Sequence, residues 1–170
     1  MEGFPFSPTF VFKAPKCTYL LYEFHWGRRR RIWRNWCKNN ASHHAEINFL
    51  QNACETIKER KTTPCHITWF LSWSPCASCC RHLIKFLKDH PNVTLEIKAA
   101  MLFRHHAQCN QSGLRALVNH GVQISIMQVP DYWYCWRTFV AHKRKNEIFD
   151  PHYFLPWILF YSVTLHFILR

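Results

Sequence analysis

His44-Ala45-Glu46 and, beyond the 28 residues from Ile47 to Ser74, Pro75-Cys76-Ala77-Ser78-Cys79 are the two clusters around which this chain is organised. A catalytic zinc takes three protein donors, from imidazole nitrogen and thiolate, and keeps a fourth position for water. His44, Cys76 and Cys79 form such a set, and Glu46, two residues past the histidine, is a carboxylate that can carry protons for that water. Ser74-Pro75 reads as a helix start, with the hydroxyl at the N-cap and Pro at the first helical position. Cys76 and Cys79 then share one face of the opening turns, where the positive helix end favours thiolate. His44 and Glu46 would diverge in mid-helix, so they belong at a helix entry, with Ser42 as its cap.

Taken singly, each cluster has a blander reading. His-x-Glu is commonly a solvated pair on a helix surface, and Cys-x-x-Cys after a strand, with Trp73 nearby, resembles a thioredoxin-type redox site. The joint pattern, with Glu beside the His and Pro before the first Cys, favours catalytic zinc.

A chain of 170 residues predicts one domain, 1–170, with enough length to bury one core. Apolar residues at 48% and aromatics at 16% exclude a disordered chain. The 22 Lys and Arg against 10 Asp and Glu give a net charge of +12, which points to a polyanionic partner such as nucleic acid. Nine cysteines are an odd number for a disulfide framework. Met1 to Pro15 has Glu2, three prolines and neither a basic start nor a cleavage site, so a cytoplasmic or nuclear protein is expected, not a secreted one. The sequons at Asn40, Asn92 and Asn110 then read as chance matches.

Working outward, Phe4 to Phe12 is an apolar arm that allows at most a brief helix. Tyr19 to Trp26 reads as a strand, Gly27 as its turn, and Ile32 to Trp36 as the returning arm of a hairpin. Arg28 to Arg31 sits at that turn, open to reading as an import signal, a phosphate contact or a charged exposed turn. Ile47, Leu50, Ala53, Cys54 and Ile57 follow helical spacing from Ala45 to Arg60. His66 to Leu71 is a strand, Cys76 to Lys88 a helix with Leu83, Ile84, Phe86 and Leu87 on its core face, and Val93 to Ala99 an alternating strand. Phe103 to Cys109 is a polar loop. Gln111 to His120 is a helix ended by Gly121, and Val122, Ile124 and Ile126 form the fifth strand. Trp133, Trp136, Phe139 and Val140 mark a further helix, Lys143 to Pro151 a polar link, and Phe154 to Leu169 an apolar final helix. At about 16 residues against the ~20 needed to span a bilayer, that helix predicts no membrane partner. Its all-round apolar character predicts partial exposure and self-association. Helices between the last three strands require parallel pairing beside the opening hairpin, so the fold class is α/β: a five-stranded mixed sheet flanked by about six helices.

His44-Ala45-Glu46, the run Ser72-Trp73-Ser74-Pro75-Cys76-x-x-Cys79 and Tyr134-Cys135-Trp136-Arg137-Thr138-Phe139-Val140 resemble the AID/APOBEC polynucleotide cytidine deaminases, over about Cys17 to the C-terminus. Leu20-Leu21-Tyr22-Glu23, Ile32-Trp33-Arg34, Ile67 to Cys76 and Gly113-Leu114-Arg115 are most similar to the branch that edits apolipoprotein-B mRNA. The resemblance implies a cytidine-deaminase-like fold and a hydrolase that converts cytosine to uracil in single-stranded DNA or RNA, releasing ammonia, as is known for this superfamily. It implies Zn2+ on His44, Cys76 and Cys79, Glu46 as the proton carrier, and a base held between Trp73 and Phe103. Thr18 would line the pocket, Asn39 would hold the sugar with Asn40 as a competitor, Ser74 would touch the base, and Arg104 and His105 would meet the strand. The family's usual Arg is Met101 here, which leaves His105 and His106 to supply loop contacts. The N-terminal arm is shorter than the family's, and the editing branch's longer C-terminal extension is not seen.

Single-stranded DNA is favoured over RNA, although only 2′-hydroxyl contacts would separate them. The main alternative is a catalytically inactive, zinc-stabilised module that binds single-stranded nucleic acid. A redox protein would leave His44 and Glu46 without a role, and a free-nucleoside deaminase would leave the basic charge without one.

Overall fold

A computed structural model of the chain describes residues 17–27, 32–60, 62–140 and 149–170. The Phe4–Phe12 arm, the Arg28–Arg31 turn and most of the Lys143–Pro151 link lie outside these residues, as do the side chains of Ala53 and Cys54. Strands β1 (Tyr19–Trp26) and β2 (Ile32–Lys38) pair antiparallel, and β1 also pairs antiparallel with β3 (Cys65–Trp73). From β3 the sheet continues parallel through β4 (Val93–Met101) to β5 (Gln123–Ile126), in the order β2-β1-β3-β4-β5. The expected mixed five-stranded sheet is therefore present. Its helices are α1 (Ala45–Lys58), α2 (Ala77–Asp89), α3 (Gln108–Asn119), α4 (Val129–Phe139) and α5 (Leu155–Leu169), the last preceded by a 3-10 turn at Pro151–Phe154.

Strand alternation sorts these helices into layers. Leu20, Tyr22, Phe24 and Trp26 of β1 face a core shared with Phe49 and Ile57 of α1, Leu83 and Phe86 of α2, and Leu114 and Leu117 of α3. The opposite side of the sheet, with Leu21 and Phe70, is covered by Tyr132 and Cys135 of α4. Helix α5 serves both cores, giving Ile158 to the second and Tyr161, Leu165 and Ile168 to the first. Its other side carries Leu159, Phe160, Val163 and Phe167, each 47–67% exposed. With its 3-10 turn this segment, Pro151–Leu169, is 19 residues long, more than the 16 expected, and by length and composition alone long and apolar enough to cross a membrane.

Several element ends differ from the sequence reading, each for a local reason. Strand β2 runs on to Lys38 because its whole length finds partners on β1. Helix α3 starts at Gln108, absorbing the end of the expected loop, and α4 starts at Val129, where Gln128 and Asp131 form a reciprocal capping box around Pro130. Gly121, at φ +85°, ends α3 as expected, because a side chain is strained there.

Candidate metal centre

The two clusters meet at the N-termini of α1 and α2. His44, not Ser42, is the N-cap of α1, with Ala45 as its first helical residue. Ser42 instead belongs to a turn built by Asn40, whose Oδ1 accepts from the backbone N–H groups of Ser42 (2.9 Å) and His43 (2.7 Å). Cys76, not Ser74, is the N-cap of α2, so Pro75 lies outside the helix. The Ser74 hydroxyl is buried and accepts from the backbone N–H of Phe103 at 2.9 Å, which ties the end of β3 to the loop after β4.

From these positions His44 Nδ1 lies 3.6 Å from Cys76 Sγ and 3.3 Å from Cys79 Sγ, and the three donor atoms are all within 4.8 Å of one another. A tetrahedral ion held by imidazole and thiolate sets a nitrogen–sulfur edge of about 3.5 Å. The spacing therefore fits a metal site, and soft sulfur with imidazole is a donor set for a transition ion rather than a hard one such as calcium. Cys80 turns elsewhere: its thiol points to the Pro75 carbonyl at 3.8 Å.

Electrostatics favour the same use. The Cys76 sulfur is pushed down to about 4, first by its hydrogen bond with the Cys79 thiol, and also by the backbone N–H groups of Cys79 and Ser78 at the helix end. Cys79, its partner in that bond and buried, is pushed up. Glu46, 3% exposed, sits beside them with its carboxyl in hydrogen-bond contact with the Cys79 thiol; burial is the main cause of its rise to about 7.

The substrate-side residues divide into those near this centre and those turned from it. Trp73 ends β3, and its ring meets Phe103 edge-on at 6.3 Å. Arg104 follows, exposed, in the left-handed region at φ +41°, with its guanidinium 5.3 Å over the Phe103 ring. His105 turns to α5, where its ring meets Phe160 and Tyr161 at 5.6 and 6.0 Å, while His106 is exposed. Thr18 and Asn39 hold each other: Asn39 Oδ1 accepts from the Thr18 N–H at 2.7 Å, and the Asn39 N–H returns a bond to the Thr18 carbonyl. Asn40, the competing asparagine, has its oxygen committed to the turn before α1.

Across residues 9–142 the chain matches the family described as APOBEC4-like AID/APOBEC deaminase. It belongs to the AID/APOBEC deaminase family. The match begins before Cys17 and stops before α5. Among curated relatives, the chain is 46% identical over 151 residues to the C->U-editing enzyme APOBEC-1 of Mesocricetus auratus, covering 89% of this chain and 66% of that protein. It is 45% identical over 150 residues to the human C->U-editing enzyme APOBEC-1 (88% and 63%), and 31% identical over 140 residues to the DNA dC->dU-editing enzyme APOBEC-3H of Felis catus (82% and 68%). The chain spans about two thirds of the length of these relatives.

Two groups of residues have roles that motif reading did not supply. Glu23, Arg34 and Tyr134 form one tie centred on the buried Glu23 carboxylate, in which Arg34 Nε (2.6 Å) and the Tyr134 hydroxyl (2.5 Å) both donate to Glu23 Oε1, fastening α4 to the opening hairpin. Asn110 is 5% exposed, and its side chain joins α2 to the loop holding Phe103. In the sequence it stood only as a chance sequon; an asparagine three residues before Gly113, where two helices can approach closely, was the available signal.

Proposed function

We propose that this chain hydrolyses cytosine to uracil and ammonia in single-stranded polynucleotide, with Zn2+ on His44, Cys76 and Cys79. The observation that carries the proposal is the convergence of these three donors at tetrahedral spacing beside the buried Glu46 carboxyl, with Trp73 and Phe103 at the adjoining strand ends. Zinc bound there would supply Lewis acidity, which makes water a nucleophile near neutral pH. Glu46 takes one proton from the water whose oxygen bonds to C4 of cytosine and gives it to the ring nitrogen; it then takes the proton of the new C4 hydroxyl and passes it to the amine, so that the C4=O bond forms as the C4–N bond breaks and ammonia leaves. Its burial and its position at the second residue of α1 aim one carboxyl at the donor cluster. Trp73 and Phe103 wall the base, Thr18 lines the pocket beneath it, Asn39 holds the sugar, and Ser74, whose buried hydroxyl accepts from the Phe103 N–H, contacts the base from within. Arg104 offers an exposed charge to a phosphate.

Single-stranded substrate follows from access, because C4 is out of reach inside a duplex. The net charge of +12 supports a polyanion, and DNA is the first candidate polymer, with RNA second. The relatives, named for C->U and dC->dU editing, support both. Self-association through the exposed apolar side of α5 is also proposed, as is a cytoplasmic or nuclear location.

The test uses purified wild type and Glu46→Ala with a DNA oligonucleotide holding one cytosine and with its RNA counterpart, reading uracil by mass and zinc by metal analysis. Uracil from wild type alone, with zinc in both proteins, is expected. Zinc without uracil in either polymer would replace the enzyme with an inactive binding module.

A further inference from the structure

The first free N–H of α2, that of Ala77, finds its acceptor far along the chain: it donates to Asn110 Oδ1 at 2.9 Å. A side chain 33 positions away thus caps the helix entry, where the N-cap Cys76 makes no side-chain cap bond. The other end of the same amide faces the loop after β4. Asn110 Nδ2 donates to the Phe103 carbonyl at 3.2 Å and to the Arg104 carbonyl at 3.4 Å. Phe103 is therefore gripped on both sides of its Cα, by Ser74 at its N–H and by Asn110 at its C=O. Arg104, whose left-handed backbone is costly for a residue with a side chain, is held in place by the same amide.

Close packing reinforces the junction. A Cβ at Gly113, one turn beyond Asn110, would lie 3.2 Å from the Ala77 Cα and 3.1 Å from Cys80 Sγ. Helix α3 is thus seated against the first turn of α2 so closely that a methyl group there would need its neighbours to give by a few tenths of an ångström.

We infer that Asn110 is a positioning residue that sets Phe103 at a fixed offset from the Cys76–Cys79 half of the metal centre, so that a base resting on Phe103 is brought into register with it. The amide is needed at both ends: its oxygen for α2, its nitrogen for the loop. A carboxylate can only accept, and a hydroxyl has a single donor for the two carbonyls, so only an amide meets all of these groups. This role rests on the proposed reaction, but it can be read through metal and strand binding as well as through turnover.

Asn110→Asp keeps the acceptor for Ala77 and sets a carboxylate oxygen against the Phe103 and Arg104 carbonyls, which frees the loop alone. Asn110→Ser shortens the side chain and releases both ends. The experiment compares these two variants, Phe103→Ala and the Asn110→Asp/Phe103→Ala double variant. It measures zinc by chelator competition, the absorption of the cobalt(II)-loaded proteins, binding of an oligonucleotide with 2-aminopurine beside one cytosine, and kcat and KM for uracil formation.

Asn110→Asp is expected to keep the zinc affinity and cobalt spectrum of wild type, to weaken strand binding and raise KM about tenfold, and to have no added effect once Phe103 is alanine. Asn110→Ser is expected to weaken zinc binding as well. Additive losses in the double variant, wild-type strand binding in Asn110→Asp, or failure of both Asn110 variants to fold would overturn the inference and leave Asn110 a purely structural residue. If wild type holds zinc and binds the strand but makes no uracil, the proposed reaction fails, while the metal and binding arms still decide the role of Asn110.

Discussion

The two halves of the metal centre are both helix entries, and they are fastened in opposite ways. The α1 half is held from within its own neighbourhood. Asn40 closes a turn on Ser42 and His43, His44 follows as the N-cap, and Asn48, one turn into the helix, donates back to the Lys38 carbonyl at 2.8 Å. The α2 half is held from a distance, by Asn110 on its first N–H and by the close approach of Gly113. Short-range bonds reassemble with the segment that carries them. Long-range ones require β4, the loop and α3 to be in place before the Cys76–Cys79 pair is fixed.

The largest effect should ignore this difference. Removing a donor from either half, by His44→Ala or Cys79→Ala, leaves too few ligands for a tetrahedral site. Zinc affinity should fall by more than the roughly 10- to 100-fold loss typical of outer partners. Metal analysis after dialysis against a weak chelator checks this, and a variant that keeps stoichiometric zinc would remove that donor from the centre.

Smaller and specific to the remote half is Gly113→Ala. Its methyl group would stand 3.2 Å from a backbone atom of α2, so one of the two helices must shift. Such overpacking costs about 1–3 kcal/mol, which in a chain of this size lowers Tm by roughly 2–4 °C for each kcal/mol. Thermal unfolding followed by circular dichroism reads it. An unchanged Tm would mean that α2 and α3 are free to separate and that the remote fastening is loose.

The same division explains what the sequence disclosed. The donor set, the carboxyl beside it and the helix entries were legible because each is coded within a few residues, as were strands that alternate, such as Val93 to Ala99. The sheet order followed from parallel crossovers that leave little freedom. Asn110 was hidden because the partners it joins belong to α2 and the β4–α3 loop, and its one nearby mark, Gly113, signals a close helix approach but names none of them. Ser74 was misplaced for a related reason: Ser-Pro is a fitting helix start locally, but the unmet N–H of Phe103, 29 residues on, took its hydroxyl. The caps of α1 and α2 fall at His44 and Cys76, whose backbones are extended, because the serines upstream are drawn into the Asn40 turn and the Phe103 bond. His105 was read as facing the substrate, and sequence spacing could not reveal that α5 returns to pack Phe160 and Tyr161 against its ring.

The smallest effect makes the sharpest comparison, because one substitution can be placed in both halves. Asn40 uses its side-chain oxygen for the turn, accepting two backbone N–H groups, while its nitrogen makes only a long, solvent-exposed bond of 3.4 Å to Asn48. A carboxylate performs the accepting role equally well and lies close to the positive end of α1, so Asn40→Asp should change stability by no more than about 0.5 kcal/mol. Asn40→Ala, which removes the acceptor, should cost about 1 kcal/mol, the usual worth of a helix-entry side chain, since water can reach part of the opened turn. At Asn110 the order is different, because the nitrogen is buried and in use, and the Asp variant there loses what the Asp variant at 40 keeps. Thermal melts and strand-binding titrations of Asn40→Asp and Asn110→Asp side by side test the distinction. Equal outcomes would show that both helix entries depend on acceptors alone, and that the donor end of Asn110 does not hold the loop.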